Sequence, residues 1–133
     1  MLRYSTALAG DPAQTYRQID LAGRTGAADP HALVGLLYEE AVAALRAAAW
    51  AAENRKFTVK SERVARATAV LFALEAGLDF DRGGDVSNAL SRLYAGTRRQ
   101  IVDASVGSDP APFLDAAQSL AEIAQAWKTA RAG

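Results

Sequence analysis

The chain is predicted to be all-α: an antiparallel up-down four-helix bundle preceded by a short, mobile N-terminal arm. Three observations predict it. Alanine is abundant and strand-type residues are sparse, and alanine is the strongest helix former. Three of the four prolines follow an aspartate, at Asp11-Pro12, Asp29-Pro30 and Asp109-Pro110. Each pair reads as a helix start, because aspartate accepts from the free N–H groups of a first turn and proline has no N–H to leave unpaired there. Apolar residues then recur at spacings of three and four in four successive stretches.

The first long helix is expected from about Pro30 to Ala52. Leu33, Leu37, Ala41, Ala44, Leu45 and Ala48 share one face, and Glu39, Arg46 and Glu53 mark the other. The polar run Glu53-Asn54-Arg55-Lys56 ends it. The second is expected over Thr58 to Leu78, where Val64, Ala67, Leu71, Leu74 and Leu78 form a heptad-like seam suited to near-parallel packing. Asp81-Arg82-Gly83-Gly84 should break it, and Asp85 should cap the third. That helix carries Val86, Leu90, Leu93, Tyr94, Thr97, Ile101 and Ala104 on its stripe, and Gly107 can close it in the left-handed conformation. The fourth follows Asp109, with Phe113, Ala117, Leu120, Ala124 and Trp127 inward and Asp115, Gln118, Glu122 and Gln125 outward. Short polar links between helices of this length favour the up-down arrangement. Residues 1–28 form the arm, with Tyr16, Ile19 and Leu21 set off from the bundle at 29–133 by a hinge containing Gly23 and Gly26.

Composition removes several classes of function. The length of 133 residues fits one domain. Fifteen basic and fifteen acidic residues cancel, whereas nucleic-acid binders carry a basic excess. With no cysteine, disulfides, thiolate metal sites and cysteine nucleophiles are out. No stretch approaches the roughly 20 apolar residues of a membrane span, and the start lacks a signal-peptide core. The expectation is a cytoplasmic protein that inserts in no membrane.

No catalytic, cofactor-binding or metal site is expected. A carboxylate-bridged metal bundle needs inward Glu-x-x-His pairs; His31 is the one histidine and has no glutamate three residues before it. An enzyme or cofactor carrier would have to draw on His31 and Glu75, which do not form a pair. Asp29 is better used as a cap than as the acid of a triad. Gly83-Gly84 lacks both the strand and the Lys-Ser/Thr of a phosphate loop.

Contact surfaces are more promising. Trp50 shares an azimuth with Glu39 and Arg46, so it points outward or tucks under the following loop. Phe72, Val102 and Leu114 fall beside their stripes, where they either widen the core or line a groove for a foreign helix. Tyr94 and Trp127 read as core by spacing. Arg55, Lys56, Lys60, Arg63 and Arg66 form a basic run that is either a solvated face or a docking patch for an acidic partner.

Four fragments together carry a resemblance. Asp29-Pro30 followed by LVGLLYEEAVAAL, then RATAVLFALEAGLD, then GGDVSNALSRLYAGTRRQIVDAS, then AQAWKTA resemble, in order, the four helices of the FliS-type flagellin chaperones. Glu75 stands where that pattern has an apolar residue. The resemblance implies a non-enzymatic chaperone that binds the disordered C-terminal segment of flagellin, which turns helical as it wraps the bundle. It implies an arm that covers an apolar groove in the free protein, with Tyr16 also docking on the export gate. Partner contacts are expected at Tyr16, Ile19, Leu21, Trp50, Phe72, Tyr94, Val102 and Leu114, and the free protein is expected to be a monomer or weak homodimer. A helical adaptor or dimerising scaffold is the alternative, because a groove for a foreign helix can also take a second copy.

Overall fold

A computed structural model describes residues 29–132. The arm, its glycine hinge, the Asp11-Pro12 pair and the candidate contacts Tyr16, Ile19 and Leu21 lie outside the described residues. Those described form four helices: α1 (Pro30–Glu53), α2 (Phe57–Ala76), α3 (Phe80–Ala104) and α4 (Ala111–Ala132). The all-α bundle is as expected.

Both described Asp-Pro pairs mark helix starts, Asp29 as the cap of α1 and Asp109 two residues ahead of α4, whose first N–H it accepts. The Ala32 N–H donates to Asp29 Oδ1 at 2.8 Å, and the Ala111 N–H donates to Asp109 Oδ1 at 2.9 Å. α1 ends where Asn54 N–H returns to the Trp50 carbonyl and Arg55 turns left-handed at φ 56°. That turn sends the chain straight into α2. α1 is the central element and packs along both α2 and α4, while α3 lies against α2 and more lightly against α4. The predicted stripes supply the core. Leu37, Leu45, Leu71, Leu74, Ile101, Phe113 and Leu120 are all fully buried, each side chain contributing about 1.5–3 kcal/mol.

The start of α3 differs from expectation. Asp79, not Asp85, is the cap, accepting from the Arg82 N–H at 3.2 Å. A first helical turn, Phe80–Gly83, therefore forms where a break was predicted. The break is confined to Gly84, at φ 50°, ψ −121°. Ser87 ties the two pieces together by donating to the Asp79 carbonyl at 2.9 Å. The kink redirects the stripe, which leaves Val86 67% exposed instead of buried. At the far end Ser105 caps α3, and Gly107 is not left-handed.

Polar side chains fix the rest of the packing. His31 and Trp127 join the first turn of α1 to the last turns of α4. Their rings stack at 4.2 Å, the Trp127 indole N–H donates to the His31 carbonyl at 2.8 Å, and His31 Nε2 lies 3.0 Å from the Trp127 carbonyl. Lys60, part of the basic run, is buried; its ammonium donates to the Gly107 carbonyl at 2.6 Å. This cation sits just past the negative end of the α3 dipole. In the core the Tyr38 and Tyr94 hydroxyls share a 2.5 Å hydrogen bond.

Burial raises the Tyr38 phenol above its ordinary 10.0, and the bond to Tyr94 only partly opposes this. The folded state thus keeps a proton that the unfolded state releases above about pH 10, so the stability held below that pH falls as pH rises further. Urea unfolding followed across pH 9 to 11 should show this loss, and Tyr38→Phe should flatten it. Gly84→Ala adds a side chain in open space but in a backbone region that L residues avoid. It should cost about 1–3 kcal/mol in the same measurement from strain alone.

Candidate docking groove

Two of the proposed contact residues meet on one seam. Phe72 of α2 and Val102 of α3 are 54% and 49% exposed and line a groove of about 450 Å³ together with Val64, Ala65, Thr68 and Ala69. It continues past Phe72 to Ala95, Arg98 and Arg99. The local cause is a pair of small residues. Ala65 and Ala69 stand one turn apart on α2, beside the buried stripe. Small side chains there leave a trough that larger ones would fill. The Thr68 hydroxyl is turned inward to the Val64 carbonyl at 2.8 Å, which leaves a largely apolar floor.

One edge of the trough is held by charge. The Arg98 guanidinium lies 3.9 Å from the centre of the Phe72 ring and pairs with Glu75, which also accepts from Ser91. The cation thus covers part of Phe72 and leaves the rest to solvent. Glu75 is what anchors this cation.

The remaining candidates lie elsewhere. Trp50, 55% exposed, does point outward from α1. Leu114 is also half exposed on α4, and neither residue lines the α2–α3 groove. A second, more polar depression of about 300 Å³ runs between α1 and α4 over Val42, Ala121 and Ala124, rimmed by Glu39, Arg46 and Lys128. Leu114 lies two turns before Ala121 on α4.

Tyr94 is corrected. It is fully buried and bonded to Tyr38, so in this conformation it is a core residue that presents no surface. The basic run also divides. Lys60 is buried, Arg66 pairs with the half-buried Glu40 at 3.2 Å, and Arg55, Lys56 and Arg63 are exposed. The alanine walls carry no signal of their own in the sequence. Arg-Arg at 98–99 was visible, but its position across from Phe72 depends on the register of α2 against α3.

Among the described residues, no group of three or more histidines and carboxylates could hold a metal ion, and no helix is long and apolar enough to cross a membrane.

Fold and groove together define a helical bundle with an open apolar seam. The family model for flagellar protein FliS matches residues 12–133, and the chain belongs to that family. It is 30% identical over 114 residues to a flagellar secretion chaperone FliS of Vibrio cholerae, covering 86% of this chain and 84% of the relative. It is 30% identical over 116 residues to the flagellar secretion chaperone FliS of Salmonella typhimurium, covering 86% of each. A flagellar secretion chaperone FliSB of Pseudomonas aeruginosa is 27% identical over 112 residues, covering 84% of this chain and 89% of the relative.

Surface and core aromatics should separate cleanly in stability. Phe72→Ala should cost less than about 1 kcal/mol in urea unfolding, as a half-exposed side chain does. Tyr94→Ala should cost about 3–5 kcal/mol, as a fully buried aromatic does.

Proposed function

We propose that this chain is a cytoplasmic chaperone of flagellar export. In this reading it holds the disordered C-terminal segment of flagellin in the α2–α3 groove, so that the subunit stays unpolymerised and ready for export. The observation that carries the reading is the pairing of exposed Phe72 and Val102 across an alanine-walled trough, in a chain of the FliS family. A disordered segment that folds on binding loses about 2–5 kcal/mol in ordering. A continuous apolar seam offsets that loss better than scattered contacts do. Alanine walls let a guest backbone approach closely, which suits a helix laid along α2 and α3.

Trp50, Leu114 and the α1–α4 depression support a guest that continues around the bundle beyond the first groove. Residues 1–28, including Tyr16, Ile19 and Leu21, would cover the groove when no flagellin is present, and Tyr16 would then serve docking on the export gate. Covering a seam of this kind keeps two copies of the free protein from pairing through it. It also lowers apparent affinity by the fraction of molecules in which the seam is covered.

Titration calorimetry with the C-terminal segment of the host's flagellin tests the reading, with circular dichroism to follow guest helicity. The expected result is binding with a gain in helix. Phe72→Ala combined with Val102→Ala should weaken it at least about tenfold, equivalent to about 1.4 kcal/mol, without unfolding the protein. No binding at tens of micromolar by the folded chain would reject the reading. A dimer that persists unchanged when the segment is added would favour a dimerising scaffold.

A further inference from the structure

We infer that the α2–α3 groove reads charge as well as shape, with Arg99 selecting a guest helix that carries an aspartate or glutamate beside its apolar stripe. This rests on the groove being the flagellin site proposed above, and it names a specificity residue within that site.

The groove has a pronounced charge asymmetry. Its lining includes two charged side chains, Arg98 and Arg99, and no acidic one. The two arginines differ in what they have left to offer. Arg98 is committed, with its guanidinium stacked on Phe72 and paired with Glu75. That pair is close to neutral as a unit and is already satisfied. Arg99 is exposed and has no ion pair within the described residues. Asp103, one turn further along α3, does not engage it. The positive charge at this end of the seam therefore belongs to Arg99.

Dimensions define what would meet it. The groove runs from Ser61 and Ser105 at one end to Phe72 and Ala95 at the other. The eleven steps of 1.5 Å from Ser61 to Phe72 along α2 make about 16 Å, or three helical turns. A guest of three turns places apolar side chains at i, i+3 or i+4, and i+7 over Val102 and Phe72. Its flank then passes Arg99, where a carboxylate finds a fork of donors and a lysine meets a like charge. The contact is at the rim, so it acts on partner choice, encounter rate and salt dependence more than on total affinity.

The test uses the full chain and the C-terminal segment of the host's flagellin at about 50 mM and about 500 mM salt, where the screening length falls from over 10 Å to under 5 Å. The variants are Arg99→Gln, Arg99→Glu and, as a charge control outside the groove lining, Arg92→Glu. Arg99→Glu should weaken binding about five- to twentyfold at low salt and converge on the unaltered protein at high salt. Arg99→Gln should fall between them, and Arg92→Glu should change little. A segment with its acidic residues replaced by lysine should bind Arg99→Glu better than the unaltered protein. Arg99 is exposed, so both substitutions should leave the thermal melt in place; if the reversal disturbs folding, Arg99→Gln carries the test. Equal affinities for all variants at both salts, with the segment binding normally, would overturn the inference and leave the proposed function standing. An equal loss in Arg92→Glu would also overturn it, since net charge and not the groove would then be responsible. If the unaltered protein does not bind the segment at all, the proposed function fails and this inference falls with it.

Discussion

The alanine face of α1 sets the geometry of the bundle. Ala41, Ala44, Ala48, Ala49, Ala51 and Ala52 are all buried, so α2 and α4 both press close on this one helix. Leu71 and Leu74 of α2 and Leu120 of α4 are buried in one cluster with these alanines, and the most extensive helix contacts are those of α1. α3 is left at the edge. Its buried contributions are mainly Tyr94, Ile101, Thr97 and Ser87, and it touches α4 only lightly. The groove opens on the side where α3 meets α2. Its α2 wall packs extensively on α1, and its α3 wall is held by a few anchors. An arrangement of this kind keeps a seam available without loosening the core.

Those anchors are mostly polar, and they sit where apolar packing runs out. Lys60 holds the link after α3 to the start of α2. Glu75 and Arg98 hold the middle of α3 to the end of α2. Tyr38 and Tyr94 join α3 to α1 through the core. Hydrogen bonds are directional and fail steeply when misaligned, so they fix the register of α3 where an alanine-lined contact alone would allow sliding. The exposed face of Phe72 is a consequence of this register, because Arg98 lies over one part of the ring and no other described residue is stacked on it.

Most of the architecture was legible in the residue pattern. The stripes of α1, α2 and α4 are legible because each is a long 3-and-4 repeat, although α2 starts without a side-chain cap and the buried face of α1 is wider than its stripe, taking in Val34, Tyr38 and Val42. The beginning of α3 was misread. Two glycines and two charged residues look like a loop, but Asp79 offers a cap three residues before Arg82, and only one of the glycines had to leave helical geometry. Tyr94 satisfied two descriptions at once, a stripe residue and a large aromatic in a family motif, and burial decided for the first. Lys60 and Arg66 looked solvated because a sequence shows charge without its partner. Their partners, Gly107 and Glu40, lie 47 and 26 residues away. The groove was only half visible: Phe72 and Val102 could be seen to lie off their stripes, but that they face each other depends on how α2 and α3 align.

The clasp between His31 and Trp127 has a consequence for how the bundle comes apart. The last turns of a helix ordinarily fray, since they have neighbours on one side only. Here the outer turns of α1 and α4 hold each other through a ring stack and an indole hydrogen bond. Neither can peel away without releasing its counterpart. Among the described residues the four helices close into a ring of contacts, and the lightest contact between neighbours in that ring is the flank where α3 meets α4.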